Sequence, residues 1–229
     1  MLIDNLVGEI QSATSRQVVT EIEDFQFEYR GVYRGRFTVE NEDDVEGVIK
    51  KIQFLDGNKK AIVINGVNAD AADVLNAKDT WLAFSEILSG NDKINGSNGN
   101  DALAGFFGND AINGLAGSDF LAGDVGNDTL KGGPGDDFLV GEEGRDLLFG
   151  SQGADWFVMD SRSAFDIVKD FRPGDAVVID TSRGSDFFRA TYDDVRVGGN
   201  AKVTNVFVDG DLVAKVFGAP VDLSDIILL

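Results

Sequence analysis

The chain has 229 residues, 40 acidic against 20 basic, for a formal net charge of -20, and it contains neither Cys nor His. Such a charge repels nucleic-acid phosphates and anionic lipid headgroups, so neither nucleic-acid binding nor membrane insertion is expected. Without thiols or imidazoles, disulfides, zinc and haem ligation, thiol catalysis and Ser-His triads fall away, and any bound metal has to be a hard, oxygen-ligated ion.

The N-terminus, MLIDNLVGEI, lacks the basic start and apolar run of a secretory signal, so an exported chain would need another route. From Val18 to about Leu88 the pattern is mixed. FQFEY (residues 25–29) alternates like a strand, and IKKIQFL and AIVI read as two strands joined by a turn at Asp56 and Gly57. Asn68 or Asp70 then offers a helix N-cap. Trp81, Phe84, Ile87 and Leu88 recur at a helical period, which predicts one or two short helices before the next segment.

From Gly90 to Val158 a period of nine holds without a slip. Taking Gly96 as position one, Gly recurs there at 105, 114, 123, 132, 141 and 150, and at position four from 99 to 153. Position six is Asp92, Asp101, Asp110, Asp119, Asp128, Asp137, Asp146 and Asp155. Position eight is Ile94, Leu103, Ile112, Leu121, Leu130, Leu139, Leu148 and Phe157. One apolar anchor per nine residues cannot be buried within its own unit, so the units must stack into a solenoid. A flexible Gly/Asp-rich linker would need no such anchor. If each unit is half a coil, residues eighteen apart stack at about the 4.8 Å spacing of paired strands. Two Asp ladders result, and neighbouring carboxylates ~5 Å apart repel by about 3 kcal/mol per pair at an effective dielectric of 20. A divalent cation between turns reverses the sign. All-oxygen ligation with flexible geometry suits Ca²⁺ better than Mg²⁺.

After residue 158 strands return, most clearly as VTNVFV-DG-DLVAKVF, with a primed two-residue turn at Asp209 and Gly210.

The nonapeptide resembles the G-G-x-G-x-D-x-U-x repeat of the RTX, or haemolysin-type, calcium-binding proteins. The resemblance implies a mainly all-β fold. Its parallel β-roll (residues 89–158) would be flanked by an N-terminal β-rich unit with short helices (1–88) and a C-terminal β-rich cap (159–229). It also implies up to six Ca²⁺ ions. Each would be held by the second- and fourth-position carbonyls and the Asp of one turn, with the first- and third-position carbonyls and the Asp of the turn one coil later.

Carried over by position, one edge uses Ser97, Gly99 and Asp101 with Gly114, Ala116 and Asp119, then Leu115, Gly117 and Asp119 with Gly132, Pro134 and Asp137. Its last site uses Gly133, Gly135 and Asp137 with Gly150, Gln152 and Asp155. The other edge uses Leu88, Gly90 and Asp92 with Gly105, Phe107 and Asp110, followed by Phe106, Gly108 and Asp110 with Gly123, Val125 and Asp128. Asp124, Gly126 and Asp128 with Gly141, Glu143 and Asp146 complete it. The family's second-position Gly survives only at Gly133, so Phe106 and Leu115 are expected to strain their turns.

SAFDIVKDFRPGDAVVID (residues 163–180) is similar to the segment that often follows such rolls, and DLSDIILL (222–229) resembles the C-termini of type I secretion substrates. The resemblance therefore implies a type I transporter as partner and a location outside, or on the surface of, a Gram-negative-type bacterium. Ile226, Ile227 and Leu228 read equally as a last core strand.

Three functional readings remain open: a non-enzymatic adhesive or carbohydrate-binding surface protein, a carbohydrate-active enzyme using paired carboxylates, and the secretion module of a larger protein. No catalytic residue is assigned, because Glu40, Glu42, Asp43 and Asp44 read as a solvated loop. Position seven points outward and gives one sheet a column of Ala102, Phe120, Phe138 and Trp156, which suits stacking on a glycan or self-association. A flanking β unit covering this column is the favoured expectation.

Overall fold

The computed structural model describes the backbone of residues 10–14, 17–23, 28–41, 44–56 and 59–70, and both backbone and side chains of 88–160, 164–182, 190–200 and 202–229. Two compact units divide at Asn95/Gly96.

The first unit is an antiparallel meander: β1 (Ile10–Thr14), β2 (Gln17–Glu23), β3 (Glu28–Asn41), β4 (Asp44–Asp56), β5 (Lys59–Asp70) and β6 (Lys93–Asn95). The expected pair of strands is present, with Asp56 opposite Lys59. Strand β5 runs through Asp70, so no helix begins at Asn68; the β-branched run that starts it keeps the chain extended. The rest of the expected helical segment, 71–87, lies outside the described residues, as do Phe25, Gln26 and Phe27 of FQFEY.

The second unit contains the roll. Strands β7 (Ala102–Ala104), β8 (Ala111–Asn113), β9 (Phe120–Ala122), β10 (Thr129–Pro134), β11 (Phe138–Val140), β12 (Leu147–Gln152) and β13 (Trp156–Met159) alternate between two parallel sheets. Ala111, Thr129 and Leu147 pair across one sheet and Phe120, Phe138 and Trp156 across the other, so a coil is eighteen residues and a repeat is half of it. Between the sheets the eighth-position side chains Ile112, Leu121, Leu130, Leu139, Leu148 and Phe157 are at most 1% exposed. The core is one residue wide, and each coil contributes only two anchors to it.

Both sheets continue past the repeats. Strand β14 (Asp166–Phe171) follows β12, and β15 (Ala176–Ile179) follows β13, each in parallel register. Strands β16 (Val195–Asn200), β17 (Val203–Val208) and β18 (Asp211–Gly218) form an antiparallel group attached through β18 to β14. The turn at Asp209 and Gly210 has both φ angles positive, 54° and 94°, as the expected primed type requires. In the tail, Asp222 accepts the Ser224 amide and caps a short 3-10 turn, after which β19 (Ile226–Leu228) pairs with β15. Ile226 is buried, so the last residues pack as a terminal strand of the roll.

On the outer face of the second sheet the aromatic column is in place. Ring centroids of Phe120 and Phe138 lie 5.4 Å apart and those of Phe138 and Trp156 5.7 Å. The expectation that a flanking unit covers the column is corrected: Phe120 is 46% exposed and Trp156 37%. The C-terminal hairpin cannot cover them because it pairs with β14, in the other sheet. Instead the aromatic row borders a parallel apolar row, where Val140, Val158 and Val178 are buried with Phe138 and Ile227 packed against them.

Candidate metal centre

From Asp119 to Asp155 each sixth-position Asp stands at the end of a glycine turn and its carboxylate reaches back to the preceding coil. The backbone N–H of Asp101 donates to Oδ1 of Asp119 at 2.8 Å, and that of Asp119 to Asp137 at 2.9 Å. On the other edge Asp110 donates to Asp128 at 2.6 Å and Asp128 to Asp146 at 2.7 Å. One oxygen of every such carboxylate is thus spent on the ladder. The other is not: Oδ2 of Asp119, Asp128, Asp137, Asp146 and Asp155 is buried with no hydrogen-bond partner. A row of buried, unsatisfied carboxylate oxygens is untenable without a counter-charge.

Burial raises the carboxyl pKa values accordingly. Desolvation first, and neighbouring ladder carboxylates second, push Asp128 and Asp137 up to about 7, against the lowering effect of the ladder hydrogen bonds. Asp146 and Asp155 rise to about 6, again chiefly by burial, and Asp119 is raised for the same reason. These shifts belong to the metal-free protein. A cation would replace the proton.

The glycines shape the space that the free oxygens face. A β-carbon on Gly96 would sit 2.6 Å from Asp101 Oδ2 and 2.7 Å from the Gly114 carbonyl oxygen; at Gly123 the corresponding partners are Asp128 Oδ2 at 2.5 Å and the Gly141 carbonyl at 2.8 Å. Position one is therefore Gly because a carboxylate oxygen and a carbonyl from the next coil converge there. At position four the reason differs: Gly126 has φ 156°, and any side chain would collide with the Gly108 carbonyl one coil earlier.

The expected ligands can be placed one by one. First-position carbonyls of Gly114, Gly123, Gly132 and Gly141 lie where a β-carbon on the first-position glycine one coil earlier would meet them. Second-position carbonyls of Ser97, Phe106 and Asp124 accept the amides of Ala116, Val125 and Glu143, and third-position carbonyls of Val125, Pro134, Glu143 and Gln152 accept those of Gly108, Gly117, Gly126 and Gly135. Each of these carbonyls keeps its second lone pair. Among the described residues no three Asp or Glu side chains gather on one point. Two carboxylates supplemented by carbonyls is the donor set of a calcium site rather than of a carboxylate cage.

Two turns depart from the pattern. Asp101 has its Oδ2 taken by the Ser97 amide at 2.7 Å and hydroxyl at 3.0 Å, so the first turn on that edge is closed by a side chain. Leu88, Gly90 and Asp92, which the first site on the other edge requires, belong to the first compact unit, whereas Gly105, Phe107 and Asp110 belong to the second. The expected strain at position two is present: Phe106 and Leu115 have φ of 70° and 83°, and Asp124, Glu142 and Ser151 are also left-handed. Each costs about 1–2 kcal/mol relative to glycine.

One further ladder is absent from the sequence reading. Side chains at position five accept the position-five amide one coil later: Asn100 from Ser118, Asn109 from Asn127, Asn127 from Arg145 and Asp136 from Ala154. The run of Asn and Asp at this position is its signal, masked by Ser118, Arg145 and Ala154, which break it.

A family model for the RTX calcium-binding nonapeptide repeat, four copies, matches residues 88–121 and 122–157. The comparison with curated proteins gives no match.

Proposed function

Because residues 88–157 are RTX calcium-binding nonapeptide repeats, we propose that this chain is a secreted protein whose roll folds on Ca²⁺ after export and then serves as an adhesive or carbohydrate-binding body. The observation that supports the calcium half is the pair of ladders of buried, unsatisfied Oδ2 atoms. Six ions is the reading carried over by position, with Asp110, Asp119, Asp128 and Asp137 each shared between two sites. Extracellular calcium modules bind at about 10⁻⁴ to 10⁻³ M, a range that leaves the roll empty in a cytosol and filled outside.

Export is assigned to a type I transporter that reads residues 222–229 before they fold. The packing of β19 is compatible with this, since the transporter meets the chain without calcium. Deleting 222–229 is expected to abolish export from a Gram-negative host carrying the matching transporter; undiminished export would reduce the tail to a packing strand.

The adhesive half is supported by the aromatic column, in which Phe120 and Trp156 are exposed on either side of a partly buried Phe138. Phe120 stacks on Phe138 and Trp156 is tilted against it, and such an exposed aromatic row suits contact with the apolar face of a sugar. A glycan array is expected to give calcium-dependent binding that Trp156→Ala reduces at least tenfold. Binding that survives both chelator and Trp156→Ala would reject this assignment, and concentration-dependent dimerisation removed by Trp156→Ala would point to a second copy of the chain instead. Catalysis forms no part of the proposal: the roll is a structural calcium-binding fold, and no catalytic residue is assigned.

A further inference from the structure

The Asp ladders do not stop where the nonapeptide stops. The N–H of Asp146 donates to Oδ1 of Asp166 at 3.0 Å, and the N–H of Asp155 to Oδ1 of Asp175 at 3.1 Å, repeating the contact made at each turn of the roll. The step is now twenty residues instead of eighteen, so neither Asp falls within the repeat register. Both are nonetheless buried, at 7% and 5% exposed.

Direction matters here. Within the roll, Oδ2 of a turn's Asp lies on the side of the first-position carbonyl of the following coil, as Asp119 with Gly132 and Asp128 with Gly141 illustrate. Asp155 keeps this orientation. Its Oδ2 lies against Gly150, with no hydrogen-bond partner, in a residue that is 0% exposed. No repeat stands beyond it. The segment Asp170–Asp175 takes the place of the next turn, and there a carboxylate replaces the usual carbonyl: Asp170 accepts the Gly150 amide at 3.0 Å and the Ser151 amide at 3.1 Å. In the roll the equivalent Gly96 and Gly123 amides go to the neutral carbonyls of Asn113 and Val140. Asp175 is fixed in turn by the Arg172 amide, which donates to its Oδ2 at 2.7 Å.

We propose that a further Ca²⁺ seat lies between the last repeat turn and the capping segment, held by Asp155 Oδ2 and by the lone pairs that the Asp175 carboxylate keeps beyond its two amide hydrogen bonds, with the Asp170 charge beside it and the Ser151 and Gly153 carbonyls completing it. This deepens the calcium reading of the roll and rests on it. The seat lies outside the six implied by position in the repeats. With the Asp170 charge where the repeat turns have only a neutral, amide-accepting carbonyl, it binds more tightly than the repeat sites.

The test counts ions on the full chain by native mass spectrometry at saturating Ca²⁺, comparing wild type with Asp175→Asn and Asp137→Asn. Asn retains an oxygen that can accept the ladder amide but removes the charge. Asp175→Asn is expected to hold one ion fewer than wild type. An unchanged count for Asp175→Asn with a reduced count for Asp137→Asn overturns the capping seat while leaving the roll reading intact. Unchanged counts for both overturn the roll reading itself. Should Asp175→Asn fail to fold, anomalous scattering from wild-type crystals grown in Ca²⁺ decides: a peak between Asp155 and Asp175 supports the seat, and peaks within the roll with none there overturn it.

Discussion

Chelation of Ca²⁺ at neutral pH is expected to expand the chain and remove most of the β circular dichroism of residues 96–179, and millimolar Ca²⁺ is expected to restore both in one steep transition. The core is one residue wide, with two anchors per coil, while buried carboxylates repeat along both edges. Neither hydrophobic burial nor ladder hydrogen bonds offset two rows of unpaired charge. Folding and ion binding are then one equilibrium, so the transition is steeper than independent sites allow. Asp119→Asn or Asp128→Asn should raise the calcium midpoint by at least the ~10–100-fold that changes outside the ligand shell commonly cost. Asp101→Asn should raise it less, because Ser97 already occupies one of that carboxylate's oxygens. A chain equally compact and β-rich in chelator, or equal effects at all three positions, would reject the ladder as a calcium device.

Acid is expected to substitute partly for calcium. In the metal-free fold Asp128 and Asp137 titrate near 7 and Asp146 and Asp155 near 6, whereas an unfolded Asp titrates near ~3.9. The folded state therefore holds protons that the unfolded state has lost between about pH 4 and pH 7. The stability this contributes is complete below the unfolded value and disappears as pH rises through the folded values. Chelator-treated protein should regain β signal on acidification from pH 8 to pH 5. Calcium binding should release protons and weaken below about pH 7. Circular dichroism against pH, with and without chelator, checks both. A metal-free β signal that grows from pH 5 to pH 8 would contradict the sign.

How far the sequence reaches depends on which feature carries the information at each position. The nine-residue period holds Asp and the apolar anchor in fixed places, so coil length, ladder membership and the inward row are legible from the residues alone. The continuation at Asp166 and Asp175 is legible only as a segment that follows such rolls, not as a part of the ladders. A single insertion of two residues between Trp156 and Asp166 shifts the register, although Asp166 and Asp175 again stand nine apart, and β12 stays aligned with β14 and β13 with β15. Exposure of Phe120 and Trp156 escapes the sequence for a different reason. Alternation says which side chains point outward, but which sheet the hairpin β16–β18 joins is set by the pairing of β18 with β14, a long-range contact that no local pattern encodes. At position two the chain departs from glycine, and φ shows that Phe106 and Leu115 nevertheless adopt the left-handed turn. The stacked coils dictate that conformation against local preference.

Half-coils that alternate between sheets restrict how such a chain can change length. Removing eighteen residues deletes one coil and returns each later side chain to the sheet it left. Removing nine takes out one unit but keeps the spacing of every remaining glycine, Asp and apolar anchor, so the local pattern reads as undamaged. Yet each following strand moves to the opposite sheet. Trp156 would then stack beyond Thr129 instead of Phe138, and the column would be cut. The grammar of the sequence counts in nines, but the molecule tolerates only even multiples.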